Sequence, residues 1–179
     1  MKMLSQLRID GFRGIRDLEI DKLTQVNLIV GDNNCGKTSM LEAMQLLRSG
    51  SVANIYRVAK LRVNTFFTSS NSLYDNFICM FSKDANKLKI QLSGLYDGNE
   101  ISYILSGTES RELLDLNELD RVILRQFEEV KGETETDVFT GNSRYTINGR
   151  VSTEKIRLNR FSLMTGTSVN VENQIEISY

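Results

Sequence analysis

An α/β fold, with a mixed core sheet and an antiparallel β subdomain, follows from three features of the sequence. Residues 31–38, Gly31-Asp32-Asn33-Asn34-Cys35-Gly36-Lys37-Thr38, match the phosphate-cradling pattern G-x-x-x-x-G-K-[ST] in full. Two amphipathic segments with a period of two stand ahead of that loop. From residue 87 to about residue 160 the apolar period is again two rather than helical.

The elements follow in chain order. Leu7 and Ile9 alternate with Arg8 and Asp10, and Leu18 and Ile20 with Asp17 and Glu19, giving two half-buried strands joined by a turn at Gly11-Phe12-Arg13-Gly14. Val26, Leu28, Ile29 and Val30 form a compact, β-branched apolar run, which predicts a strand covered on both faces. Beyond the loop, Met40, Leu41, Met44 and Leu47 fall at helical spacing, with Glu42, Gln45 and Arg48 on the opposite face and Gly50 as the stop. A short helix carrying Val52, Ile55 and Val58 leads to a polar stretch ending Thr68-Ser69-Ser70. A second helix carries Leu73, Phe77 and Met80, with Cys79 as a buried thiol, and stops at Lys83-Asp84-Ala85-Asn86.

Leu88, Ile90 and Leu92 then alternate with polar residues in a strand that turns at Tyr96-Asp97-Gly98-Asn99 into Ile101–Leu105. Residues 108–120 read as a short helix or an acidic loop, Val122–Val130 as a strand and Val138–Thr140 as a short one. Tyr145 and Ile147 lead to Asn148-Gly149, a strong hairpin signal, with Val151 opposite and Ile156 and Leu158 continuing the pattern. Ile175–Tyr179 reads as a strand. The organisation expected is one domain portion. Residues 1–60 hold strands, loop and first helix, 61–86 a helical segment, 87–160 the antiparallel region, and 161–179 the start of a further part.

The loop pattern carries chemistry because glycines let the backbone turn tightly and aim successive amides at anionic oxygens. The first turn of the helix behind it adds unpaired N–H groups and the positive end of its dipole. Gly31, Asn33, Asn34, Cys35, Gly36, Lys37, Thr38 and Ser39 are therefore the candidate nucleotide-binding set. Lys37 is the catalytic candidate, reaching the β- and γ-phosphates of ATP, and the Thr38 hydroxyl is the candidate Mg2+ ligand. Cys35 falls at a free position of the pattern. The chain has no histidine, which excludes a cysteine–histidine catalytic pair within it.

Composition bounds the class. The chain has 179 residues, 40% apolar and 25% charged, enough for one domain with a sizeable core. Two cysteines, one inside the phosphate loop, point to a reducing, cytoplasmic setting rather than a disulfide framework. No stretch is long and apolar enough to span a bilayer, and no secretion signal opens the chain. The net charge of -1 gives no overall attraction to nucleic acid, although residues 1–62 carry 10 basic against 6 acidic residues and residues 97–137 carry 4 against 12. Proline is absent where average usage would give about nine.

Hydrolysis by a phosphate-loop protein also needs an acidic residue ending a second buried strand. None follows residue 60: Val122-Ile123-Leu124 ends in Arg125, and Phe161-Ser162-Leu163-Met164 ends in Thr165. The phosphate-binding half is present without the hydrolytic half, so the expectation is an incomplete piece of a longer ATPase.

Residues 3–48 resemble the opening of the ATP-binding cassette heads of SMC-like and RecF-like ATPases. The likeness is carried by Leu7-Arg8-Ile9-Asp10-Gly11-Phe12-Arg13-Gly14-Ile15, by Val26-Asn27-Leu28-Ile29-Val30-Gly31 and by Leu41-Glu42-Ala43-Met44. The fold implied is a P-loop NTPase of ABC/SMC-like type. In the wider group the loop commonly reads Gly-x-Asn-Gly-x-Gly-Lys. The paired Asn33-Asn34 is instead similar to the overcoming-lysogenisation-defect family of bacterial anti-phage defence, and asparagine tolerates left-handed backbone angles. The resemblance implies a role for Arg13 near the nucleotide phosphates; from the residues alone a solvated surface arginine is an equal reading. It also implies a head-to-tail dimer or higher homo-oligomer, with DNA and a nuclease or effector protein as partners. The function expected is ATP binding and hydrolysis in a DNA-processing or defence ATPase. The alternatives are a nucleotide-gated scaffold that holds an effector without cutting nucleic acid, and a small-molecule or nucleotide kinase.

Overall fold

A computed structural model describes residues 3–62, 72–82, 88–115, 133–159 and 173–177. Its frame is a seven-stranded sheet comprising β1 (Leu4–Asp10), β2 (Leu18–Ile20), β3 (Leu88–Tyr96), β4 (Asn99–Asp115), β5 (Glu133–Ile147), β6 (Arg150–Asn159) and β7 (Asn173–Ile177). The strand order is β2-β1-β3-β4-β5-β6-β7. Each neighbouring pair is antiparallel, so the mixed core sheet expected from sequence is represented among the described residues by antiparallel strands alone. The helices α1 (Lys37–Arg48), α2 (Val52–Lys60) and α3 (Ser72–Ile78) share one core with this sheet.

Alternation in sequence becomes sidedness in the sheet. Leu7 and Ile9 of β1, Ile90 and Leu92 of β3, Ile101, Tyr103 and Leu105 of β4, Phe139 of β5, and Ile156 and Leu158 of β6 are buried with the helices. Phe77 and Phe81 meet Phe139 with ring centroids 5.0 and 5.5 Å apart, anchoring the end of α3 to the sheet. Two tight turns close the hairpins. Asp97-Gly98 has φ of 53° and 77°, and Asn148-Gly149 has 51° and 73°, the doubly left-handed backbone that suits strand twist.

Several expectations change. Val26–Val30 is not a strand: Val26 and Leu28 are each 87% exposed and Val30 77%, with only Ile29 packed against the core. An apolar run predicts burial only where a neighbour covers it, and no described strand pairs with this one. Residues 108–115, expected as helix or loop, continue β4, because Thr108–Asp115 pair in register with Glu133–Thr140. The short strand at 138–140 and the Tyr145–Ile147 segment are one strand, β5, running straight through Gly141. There Gly141 faces Gly107, and the Phe139 ring fills the space both side chains would need, a Cβ on either lying within 2.7 Å of its Cζ. Cys79 is exposed rather than buried, lying beyond the last turn of α3.

On α1, Leu41 is half-exposed and Glu42 is 2% exposed, the reverse of their expected faces. The helix closes at Ser49 in an extended conformation, and Gly50 serves packing, since a Cβ there would strike the Tyr145 ring. The expected strand at Val122–Val130, the apolar run at 161–164 and the polar stretch at Thr68-Ser69-Ser70 lie outside the described residues, as do Lys83-Asp84-Ala85-Asn86, 116–120 and the final Ser178 and Tyr179.

Candidate functional site: a phosphate loop and a buried carboxylate behind it

The loop from Gly31 to Gly36 curls before α1 and is exposed along most of its length. Asn34 sits at φ 66°, in the left-handed region, where its short amide side chain is tolerated. Gly36, at φ 94°, is the N-cap of α1. It has no side chain to satisfy the first-turn N–H groups, and no acidic residue occupies that turn. A Cβ on Gly31 would lie 2.8 Å from the Cys35 Sγ, so glycine there lets the loop close on itself. Asn33 and Cys35 are exposed on the loop, and Asp32 accepts the Cys35 N–H through its carbonyl at 3.4 Å.

Lys37 spans the loop. Its Nζ donates to the Gly31 carbonyl at 2.7 Å and the Asp32 carbonyl at 2.6 Å, and lies 3.6 Å from the Cys35 Sγ. The ammonium is thus held across the loop between two of its carbonyls, at the positive end of a 12-residue helix. Thr38 is exposed in the first turn, whereas Ser39 turns inward and is 7% exposed. The curled backbone, the side-chain-free cap and the acid-free first turn fit a polyphosphate.

Arg13 is not a surface arginine: its side chain is 7% exposed. The turn that carries it is clamped from two sides. Arg13 N–H donates to the Met80 carbonyl at 2.7 Å, Ser82 N–H to the Gly11 carbonyl at 3.0 Å, and Phe12 bridges Phe81. These contacts hold Arg13 at φ 53°, a conformation that an arginine adopts only under constraint. The same turn lies near the loop, with Ile15 Cγ1 3.8 Å from where a Gly36 Cβ would be.

Behind the loop lies a group that sequence reasoning placed on the solvent face. The Glu42 carboxylate, 3% exposed, is shared by two arginines. Arg62 Nε donates to Glu42 Oε1 at 2.8 Å and Arg62 Nη2 to the Ser39 hydroxyl at 3.2 Å. Arg13 Nε approaches Glu42 Oε2 at 2.6 Å. That approach is an ion pair at hydrogen-bond distance but out of line, and the buried Arg13 Nη2 has no acceptor among the described residues. Burial lowers the pKa of the Arg13 guanidinium below its usual value, with Glu42 opposing. Its guanidinium carbon also sits 5.5 Å from the Phe12 ring centroid. No signal in the sequence marked Glu42 as buried, since helical spacing sets it on the face opposite Met40, Met44 and Leu47.

The family described as AAA ATPase domain matches residues 1–176. The chain belongs to the AAA ATPase domain family. Over 96 residues this ATPase domain is 32% identical to an uncharacterized protein of Methanocaldococcus jannaschii, covering 52% of the chain and 42% of that protein. It is 30% identical over 102 residues to an ATP/GTP phosphatase of Helicobacter pylori, covering 55% and 26%. It is also 30% identical over 115 residues to the DNA replication and repair protein RecF of a Marinomonas species, covering 64% and 30%. The domain spans less than half the length of each of these relatives. No helix among the described residues is long and apolar enough to cross a membrane.

Proposed function

We propose that this chain is the ATP-binding part of an ABC/SMC-like ATPase that turns over when a further segment and a second copy complete the site. The observation that carries the reading is the position of Lys37, whose ammonium bridges two loop carbonyls in front of an uncapped helix N-terminus. A triphosphate entering the loop replaces those carbonyls as the lysine's partners and takes the first-turn amides as donors. Thr38 is the residue to hold Mg2+, which supplies positive charge against the phosphate oxygens. Gly31, Asn33, Asn34, Cys35 and Gly36 contribute backbone curvature and amides, and Ser39 anchors the first turn from beneath. Arg13 stands beside the phosphates from the strand turn.

The relatives named ATP/GTP phosphatase and DNA replication and repair protein RecF support an ATPase working on DNA, and the resemblance of residues 3–48 to SMC-like and RecF-like heads supports its working in the cytoplasm as a homodimer or larger homo-oligomer. The paired Asn33-Asn34 supports the defence variant of that role, with a nuclease or effector as partner. Titration calorimetry of ATP into the Lys37→Ala variant tests the core of the reading. Affinity should fall by about tenfold to a hundredfold, the range for losing a charge-assisted contact. Unchanged affinity would remove the proposal. The 179-residue chain alone, given ATP and Mg2+, should show negligible turnover.

A further inference from the structure

The start of α1 carries a weakness that anion binding requires. Gly36 caps the helix without a side chain, and the first helical bond runs from Met40 N–H to the Gly36 carbonyl at 2.9 Å. A side-chain cap would steady this end by taking its open N–H groups, which are the donors an anion needs. The steadying contact comes instead from the buried side of the helix. Arg62 Nη2 donates to the Ser39 hydroxyl at 3.2 Å and Arg62 Nε to Glu42 Oε1 at 2.8 Å, so one guanidinium ties the first turn to the next. Arg62 is itself firmly placed, because it follows the last turn of α2 and that helix is fastened along α1. The buried Asn54 amide of α2 donates to the Gln45, Leu46 and Ser49 carbonyls at 2.5, 3.5 and 3.0 Å, closing the far end of α1. At the start of α2, Val52 N–H donates to Glu154 Oε2 of β6 at 3.3 Å, which ties it to the sheet.

We propose that Arg62 is a positioning residue for the phosphate loop: it braces the first turn of α1 through Ser39 and Glu42, so the turn stays uncapped and keeps its amides for the triphosphate. The inference rests on the reading that ATP occupies the loop. Lys37 and Thr38 belong to the same turn and are held in place with it. A guanidinium suits the task because its planar fork meets two acceptors at once, whereas an ammonium on a flexible stem does not fix both. Glu42 does not depend on Arg62 alone, since Arg13 Nε also lies 2.6 Å from Glu42 Oε2. Loss of Arg62 therefore releases Ser39 and the first turn without leaving a buried charge alone. Amides that must be reordered as the nucleotide enters give up part of the contact they make. Affinity falls while the fold stands.

The test is calorimetric titration of ATP with Mg2+ into the unmodified chain and the Lys37→Ala, Arg62→Met, Arg62→Lys, Ser39→Ala and Asn54→Ala variants, with urea unfolding of each. Arg62→Met and Ser39→Ala should each weaken ATP by about tenfold, and their double variant by little more than either, because both remove the same brace. Arg62→Lys, which keeps one donor, should recover part of the loss. Asn54→Ala loosens the far end of α1, so it should lower the urea midpoint at least as much as Arg62→Met while ATP affinity stays within about twofold. Should Asn54→Ala fail to fold, Gly149→Ala in the β5–β6 turn supplies the destabilised control. Losses that add in the double variant, as a direct contact of Ser39 with nucleotide would produce, overturn the inference. So does an affinity loss in the destabilised control equal to that of Arg62→Met, since affinity would then merely follow stability. Arg62→Met within about twofold of the unmodified chain, with ATP binding lost in Lys37→Ala, overturns it and leaves the ATP reading standing. Unchanged ATP binding in Lys37→Ala overturns both.

Discussion

The hairpin sheet and the segment leading into the phosphate loop were written in the same alphabet of β-branched and apolar residues, yet they have opposite fates. In β3 to β6 each apolar residue of the inner face finds cover from the helices and a paired strand beside it. Val26, Leu28 and Val30 find neither and stand exposed. Within it, β3 and β4 are joined by a two-residue turn at Asp97-Gly98, and β5 and β6 by one at Asn148-Gly149. The loop's approach has no such local partner. Local pairing explains order in the one region; in the other, order comes from the helix behind and the turn of Arg13 beside it. The division predicts that sheet substitutions change stability, and that loop substitutions change nucleotide affinity with little effect on stability.

The strongest challenge to that division is Phe139→Ala. Phe139 is fully buried, stacks edge-on with Phe77, and fills the space above the Gly107–Gly141 pair. Its truncation should cost about 3–5 kcal/mol in urea unfolding. A cost below about 1 kcal/mol would mean that the sheet and α3 do not share one core.

A subtler effect is expected at the turn. Gly149 has φ 73° and open space where a Cβ would stand, so Gly149→Ala meets strain of conformation alone. The expected loss is about 1–2 kcal/mol, the penalty for an L-residue held left-handed. Gly141→Ala serves as the contrast, because its added Cβ meets backbone and ring atoms. It should cost more than Gly149→Ala despite having ordinary strand angles.

The same comparison explains which elements could be read from residues alone. Leu88, Ile90 and Leu92 specify a strand because the alternation and the turn that follows are both local. Thr108–Asp115 carry no apolar alternation, and their extended state is imposed by pairing with Glu133–Thr140, a partner distant in sequence. Gly141 looks like a break until Phe139 is seen lying over it. In the candidate site, the loop from Gly31 to Thr38 was legible because phosphate binding by backbone needs glycine at fixed spacing. Glu42 was not, because helical periodicity sends a lone acid outward. Only the arginines at 13 and 62, placed by the fold on either side of it, draw it in.

The smallest expected effect is the sharpest probe of the exposed run. Val30 is 77% exposed immediately before Gly31, and its side chain contributes little to the core. Val30→Ser should therefore alter unfolding free energy by no more than about 0.5 kcal/mol in the 179-residue chain. Its ATP affinity should remain within about twofold, because the loop is closed by Gly31 against Cys35, by Asn34 and Gly36 at positive φ, and by Lys37 across the Gly31 and Asp32 carbonyls, none of which involves the Val30 side chain. A loss of about 2 kcal/mol would show that Val30 is covered in solution. A selective loss of ATP affinity would show instead that the run helps to shape the loop, and the boundary between the two regions would move to Val26.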